Sequence, residues 1–371
     1  MAEEHIVSTG AIRATTLQKI VKKRVDVIYR KSFLMDWFRR KKCITMNHGG
    51  DFIDWRPKIR VRTINPITGI GDATSFSSIQ KFRKATLPWR GYEMGIAIPK
   101  FARLANKGPE QLRNLIADEM NTAIDEFIDD LRLRLYYDGY AAATAEDLMG
   151  LESCMGNTGS CVTNSKVVDP SDTYANLTTV LGGLGGTWSP PSGYGFPDGT
   201  GNTRYCAWSP LIVDYTNTGF TPSSGSTYSW KYLWQEVTNY METFMNVLHG
   251  VRPELYLLNP RMLMEAQNSL VAIQGFELTT KKGDSADPGV SSLSYNGIEY
   301  ASEYGVPEVS GYALISDHIE LMSMQNDLVV TEKDRDIDTS VDKIKLDAYL
   351  QLRLDSPAYL GKFEAVGGAG T

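Results

Sequence analysis

Asp334, Asp336 and Asp338 alternate at the spacing with which a calcium loop presents its first oxygen ligands. Such a loop also needs Gly at its sixth position and Glu at its twelfth, where this chain has Thr339 and Lys345, so the run reads as a solvated hairpin tip. Gly182-Gly-Leu-Gly-Gly186 has the composition of a phosphate cradle, but neither a Lys-Ser/Thr pair nor a helix opening follows, and a flexible turn is expected. His5, His48, His249 and His318 are scattered, none with the i, i+4 partner of a metal-binding helix. Cys43, Cys154, Cys161 and Cys206 lack CxxC spacing, and His48 beside Cys43 has no second pair with which to complete a zinc site; all four read as reduced thiols. GxSxG, HExxH and GxxxxGK[ST] are missing as well. The expectation is therefore no catalytic, cofactor or metal site, which makes an unrecognised hydrolase the weakest reading.

Charge carries more information than these motifs. The 371 residues have net charge −6, yet residues 1–107 hold 22 Lys and Arg against 8 Asp and Glu (+14), while 108–371 hold 16 against 36 (−20). Such a split points to a nucleic-acid arm, an anionic partner, or complementary charge between copies. Residues 1–49 alternate basic clusters with Val25, Ile28, Phe33, Leu34 and Trp37, an amphipathic arm with helical tendency. From Asp51 the period becomes two. Trp55, Pro57, Ile59, Val61 and Thr63 share one face, and Arg56, Lys58, Arg60 and Arg62 the other.

That strand ends at Asn65-Pro66-Ile67-Thr68-Gly69, and a second extended run covers Lys84 to Pro99; together they read as a long two-stranded arm. A strand of about eleven residues reaches on the order of 36 Å, further than a compact domain needs for its own core. Such an arm is marginal alone and should lie on something. Gly108-Pro109 then opens a helix with apolar residues from Leu112 to Leu135 at spacings of three and four, stopped at Asp138-Gly139: about 28 residues, roughly 42 Å. Its other faces carry Asp118, Glu119, Asp125, Glu126, Asp129 and Asp130. A solvated face accounts for acids there, and edge-strand protection for the cations, but same-sign i, i+4 acids destabilise an isolated helix, and the two features together favour a partnership.

Residues 150–228 are rich in Gly, Ser, Thr and Pro, with a short helix expected near Thr173 to Leu181. A helix from Trp230 to Leu248 stopped by Gly250, a buried strand Glu254 to Leu258, and a helix Arg261 to Leu270 after Asn259-Pro260 form a mixed α/β unit. Asp327 to Thr331 and Lys343 to Leu354 are strands, the second alternating Ile344, Leu346, Ala348, Leu350 and Leu352 with polar residues, around a charged tip from Glu332 to Asp342. No apolar run approaches the roughly 18 residues of a membrane span, and MAEEHIVSTG is no secretory signal, so folding in a cytoplasm and no membrane partner are expected.

Three stretches carry a resemblance. Leu257-Leu258-Asn259-Pro260-Arg261, then Tyr295-Asn-Gly-Ile-Glu-Tyr300 with Gly305-Val-Pro307 and Tyr312-Ala-Leu-Ile-Ser-Asp317, then Lys343 to Lys362 with Arg353-Leu-Asp-Ser-Pro357-Ala-Tyr359 resemble, in order and spacing, the major capsid proteins of tailed bacteriophages, the HK97 fold. The resemblance implies an α+β chain: an N-terminal arm at 1–49, an extended loop at 50–107, a peripheral domain with its spine helix at 108–149, an axial domain at 150–326, and a return hairpin with a tail at 327–371. It implies assembly of pentamers and hexamers into an icosahedral shell around packaged double-stranded DNA, held non-specifically, with scaffolding, portal and decoration proteins as further partners and localisation in the virion. Some family members cross-link a loop lysine to an asparagine in the closing hairpin; no Asn lies between Asp327 and Pro357, so Lys81 and Lys84 are not expected to cross-link. The short N-terminal region implies a separate scaffold, or none.

Two other readings stay open on the sequence: an encapsulin-like compartment of the same fold around a protein cargo, and a packaging protein that binds nucleic acid through its basic first third. The contacts expected between copies are Arg56, Lys58, Arg60 and Arg62 on one side and Asp118, Glu119, Asp125, Glu126, Asp129 and Asp130, or the 332–342 hairpin, on the other.

Overall fold

The computed structural model describes residues 5–6, 32–58, 82–101, 115–141, 143–144, 146–162, 165–181, 208–223, 228–272, 293–336 and 341–366. Its strands in chain order are β1 (His5–Ile6), β2 (Ile44–Thr45), β3 (Phe52–Trp55), β4 (Ala85–Pro88), β5 (Arg90–Pro99), β6 (Asn157–Cys161), β7 (Val168–Pro170), β8 (Thr173–Tyr174) and β9 (Leu177–Thr178). There follow β10 (Leu211–Asp214), β11 (Leu255–Leu258), β12 (Leu293–Tyr295), β13 (Ile298–Ser302), β14 (Gly311–Leu314), β15 (Ile319–Ser323), β16 (Val330–Asp336), β17 (Val341–Leu354) and β18 (Gly361–Glu364). The α-helices are α1 (Phe33–Lys41), α2 (Leu115–Arg134), α3 (Trp230–His249) and α4 (Pro260–Ala272).

Two six-stranded sheets organise these elements. The first runs β1-β5-β17-β15-β2, with β16 also on β17; the second runs β10-β18-β14-β11-β13-β12. The apolar alternation of Ile344, Leu346, Ala348, Leu350 and Leu352 places β17 at the centre of the first, where all five are buried. In the second sheet the apolar run of β11 has a different origin. Leu255 and Leu257 enter one core while Tyr256 and Leu258 enter another, so the period of two distributes its side chains between two covered faces. β14 repeats this, with Tyr312 and Leu314 on one side and Ala313 on the other. The second sheet is thus the wall between two cores, the far one roofed by α3, which contributes Trp230, Leu233, Trp234, Val237, Met241 and Phe244. Gly250, at φ 67°, stops α3 where the sequence expects it to stop, and Ala123, Phe127 and Leu131 turn α2 toward the first core.

Several expectations are corrected. Thr173 to Leu181 is no helix: β8 and β9 form a two-residue hairpin through Ala175 (φ 51°) and Asn176 (φ 63°), a turn whose positive φ values match the twist of its strands. The run from Lys84 to Pro99 breaks at Trp89; β4 stays in the arm, while β5 leaves it and pairs along β17 from Arg90↔Leu350 to Pro99↔Val341. The charged tip from Glu332 to Asp342 is mostly ladder, with Glu332 in register with Lys345 and Asp334 with Lys343. Residues 32–45 are part of the core rather than a free arm: Ser32 caps α1, accepting from Met35 N–H at 3.2 Å, and Leu34, Trp37 and Phe38 are buried. The Gly182–Gly186 turn, Cys206, Asp338 and Thr339 lie outside the described residues.

Candidate assembly surface

The basic arm grows from β3 and β4, which pair antiparallel from Phe52↔Pro88 to Trp55↔Ala85, with one further bridge at Lys58↔Phe82. The period of two holds here. Ile53, Ala85 and Leu87 are buried at the base, whereas Phe52, Asp54, Arg56 and Lys58 face outward. Trp55 anchors the base: its Nε1 donates to the Asp355 carbonyl at 3.0 Å, and its ring lies against Tyr174 and Trp208, each at 6.4 Å between centroids. Lys84 is tied to Asp54 at 2.8 Å, and its ammonium, with Thr86, holds that carboxyl below the usual range. Arg56 and Lys58 are exposed, and among the described residues neither forms an ion pair. Arg60 and Arg62 lie outside the described residues.

Two features of this face were not singled out from sequence. Phe52 and Phe82 are 58% and 52% exposed, Phe52 in the outward phase of β3 and Phe82 paired across from Lys58. A large apolar group in the polar phase of an alternating strand was the available signal, since exposed aromatic patches mark contact surfaces.

The expected acids on α2 divide. Asp129 meets Arg132 at 2.9 Å and Asp130 meets Arg134 at 2.8 Å, so two of the six are matched within their own helix at i, i+3 and i, i+4. Arg134 also pairs with Asp147. Glu119, Asp125 and Glu126 are half-buried on the same helix, and the side chain of Asp118 lies outside the described residues. The helix thus offers less unmatched negative charge than its sequence suggests.

One buried charge cluster ties α2 to the body, and a second lies within the body. Glu303, next to β13, accepts from Leu34 N–H at 2.9 Å and from Tyr136 Oη at 3.0 Å, with Arg132 at 3.6 Å. Burial raises its carboxyl pKa, and these partners draw it part of the way back. Lys362 on β18 meets Glu152 at 2.9 Å and Glu364 at 3.0 Å, and Tyr312 bonds Glu152 as well. Burial alone would lower the Lys362 ammonium pKa; the two carboxylates more than reverse that and raise it. Both clusters set buried opposite charges against one another and serve as structural ties.

No family model matches this sequence, and no curated protein matches it. Solved structures do. The chain is similar to the cyanophage A-1(L) capsid asymmetric unit at 14% identity and TM-score 0.59, over 95% of this chain and 97% of that one. It is similar to the capsid of a native GTA particle at 10% identity and TM-score 0.52, over 93% and 95%. The holo-SrpI encapsulin complex from Synechococcus elongatus PCC 7942 follows at 9% identity and TM-score 0.50, over 98% of both chains. These likenesses run nearly end to end, so the chain has the mixed α/β fold of tailed-phage capsid proteins, which an encapsulin shares.

Proposed function

We propose that this chain is a major capsid protein, a non-catalytic subunit that self-assembles into an icosahedral phage head around packaged double-stranded DNA. The observation that carries this reading is the near-complete, two-sided coverage of a cyanophage capsid subunit: 95% of this chain on 97% of that one. On this reading residues 50–107 hold the extended loop and its connection to the spine, α2 is the spine helix of a peripheral domain completed by the β16–β17 return, and residues 150–326 form the axial domain. Arg56, Lys58, Arg60 and Arg62 lie over acidic surface of an adjacent copy, the α2 helix or the 332–342 hairpin. Exposed ion pairs contribute about 0–1 kcal/mol each, so the cations set register, and apolar groups such as Phe52 and Phe82 supply more of the association energy.

Electron microscopy of the expressed chain tests the reading. Closed shells are expected, and their absence under all assembly conditions overturns it. A second reading, an encapsulin-like compartment, is favoured by the full-length likeness to the SrpI encapsulin. The contents of purified particles decide between them, nucleic acid supporting a phage head and an enclosed protein supporting a compartment.

A further inference from the structure

Two short connections cross between the two six-stranded sheets, and they lie side by side. β14 leads to β15 through Ser316–His318, and β17 leads to β18 through residues 355–360. Asp355 N–H donates to the His318 carbonyl at 3.0 Å, joining the two connections through their backbones. The His318 ring lies flat on Tyr359, with centroids 3.6 Å apart and planes 6° apart. His249, the last residue of α3, meets the same phenol ring edge-on at 5.3 Å. One tyrosine therefore joins the helix that roofs the second sheet to both of these connections between the sheets. Cys43, beside β2 of the first sheet, closes the group, its Sγ 3.4 Å from the Ser316 carbonyl.

The charged groups facing this stack come from every neighbouring element. The first crossing brings Asp317 and His318, the latter 3.7 Å from Asp355 of the second crossing. Arg353 on β17 is matched by Asp355 at 2.8 Å and by Glu320 on β15 at 2.9 Å, and Lys41 on α1 by Glu254 at 2.7 Å. Among the described residues His249 makes no ion pair, and the charged group that acts on it is the His318 imidazole. Burial first, and His318 second, push its pKa down to about 4. Among the described residues a proton on His249 would have no paired anion to meet.

We propose that the His249–Tyr359–His318 stack is an acid-released clamp across the junction of the two sheets: the stacked rings hold α3 against both crossings, and a proton on His249 drives that ring out and frees the second sheet to move against the first. The clamp concerns a single subunit and stands apart from the shell reading. With an ordinary histidine pKa near 6.5 in the open state, the balance shifts toward opening as pH falls from there to about 4.

Cys43 is the reporter. The full-length chain is treated with 4,4′-dithiodipyridine at steps from pH 7.5 to pH 4.5, with rates normalised to a small thiol peptide and sites located by mass spectrometry. Labelling of Cys43 is expected to rise on the order of tenfold or more over that range, while Cys154, fully buried elsewhere in the first core, stays protected. His249→Phe keeps an aromatic edge without a titrating group and should flatten the rise; His249→Gln should do the same should Phe fold poorly. A flat wild-type profile, an equal rise in either variant, or parallel exposure of Cys154, which signals global unfolding, overturns the clamp.

Discussion

Arg132 is 1% exposed, an arginine buried as deeply as the leucines around it, and Asp129 and Glu303 answer its charge. Removing one member of such a set leaves the others buried without a match, which costs more than the set contributes when whole. Arg132→Met is therefore expected to destabilise the fold by about 3–5 kcal/mol in urea unfolding, and Arg132→Met with Glu303→Leu by clearly less. The Lys362 cluster differs in its pH window. Its folded pKa is raised above 10.5, so its contribution is complete below that pH and is lost as pH rises through the folded value. The gap in urea midpoint between wild type and Lys362→Met should be largest at neutral pH and narrow from about pH 10.5 upward; a constant gap would mean that packing of the lysine stem, not its charge, matters.

Elements with strong local signals were legible in the sequence: α3 with its Gly250 stop, β11 ahead of the Asn259-Pro260 helix start, and β17 through its five alternating apolar residues. What escaped depended on pairing. Nothing between Lys84 and Pro99 announces that β4 stays in the arm and β5 leaves it, because the partner of β5 lies some 250 residues along the chain. The candidate site divides the same way: exposure of Arg56 and Lys58 follows from alternation, and the i, i+3 and i, i+4 spacing of Asp129 and Asp130 from Arg132 and Arg134 is readable on a helix, whereas the approach of Glu303 to Arg132 depends on the fold. The hairpin at Ala175-Asn176 was missed because its only cue is one Asn able to adopt positive φ. That cue makes a prediction. Asn176 is exposed at φ 63°, so Asn176→Gly should be neutral or stabilise by up to about 1 kcal/mol, and Asn176→Val should destabilise by about 1–2 kcal/mol, both read from thermal unfolding. Equal effects of the two substitutions would mean that the turn opens without disturbing Tyr174 and Leu177.

For the whole molecule the question is what a −6 chain gains by holding +14 in its first 107 residues. Within one subunit some of the described cations are matched: Lys41 with Glu254, Lys84 with Asp54, Arg132 and Arg134 with their acids. Arg56 and Lys58 stand out because they are exposed on an arm whose inner face is already anchored through Trp55, so their charge does little for the fold that carries them. Surface charges of this kind change stability by no more than about 0.5 kcal/mol, but they act on encounter between molecules. Arg56→Glu with Lys58→Glu should thus leave the melting temperature of the subunit nearly unchanged and slow assembly by tenfold or more at about 0.05 M salt, followed by light scattering and electron microscopy. Screening adds a second axis, because the Debye length falls from about 10 Å at 0.1 M salt to about 3 Å at 1 M. Wild type and variant should converge as salt rises, since both then assemble through apolar contact alone. Equal rates at low salt would mean that the arm reads no acidic neighbour, and a gap that persists at 1 M would place the loss in packing around Phe52 and Phe82 instead.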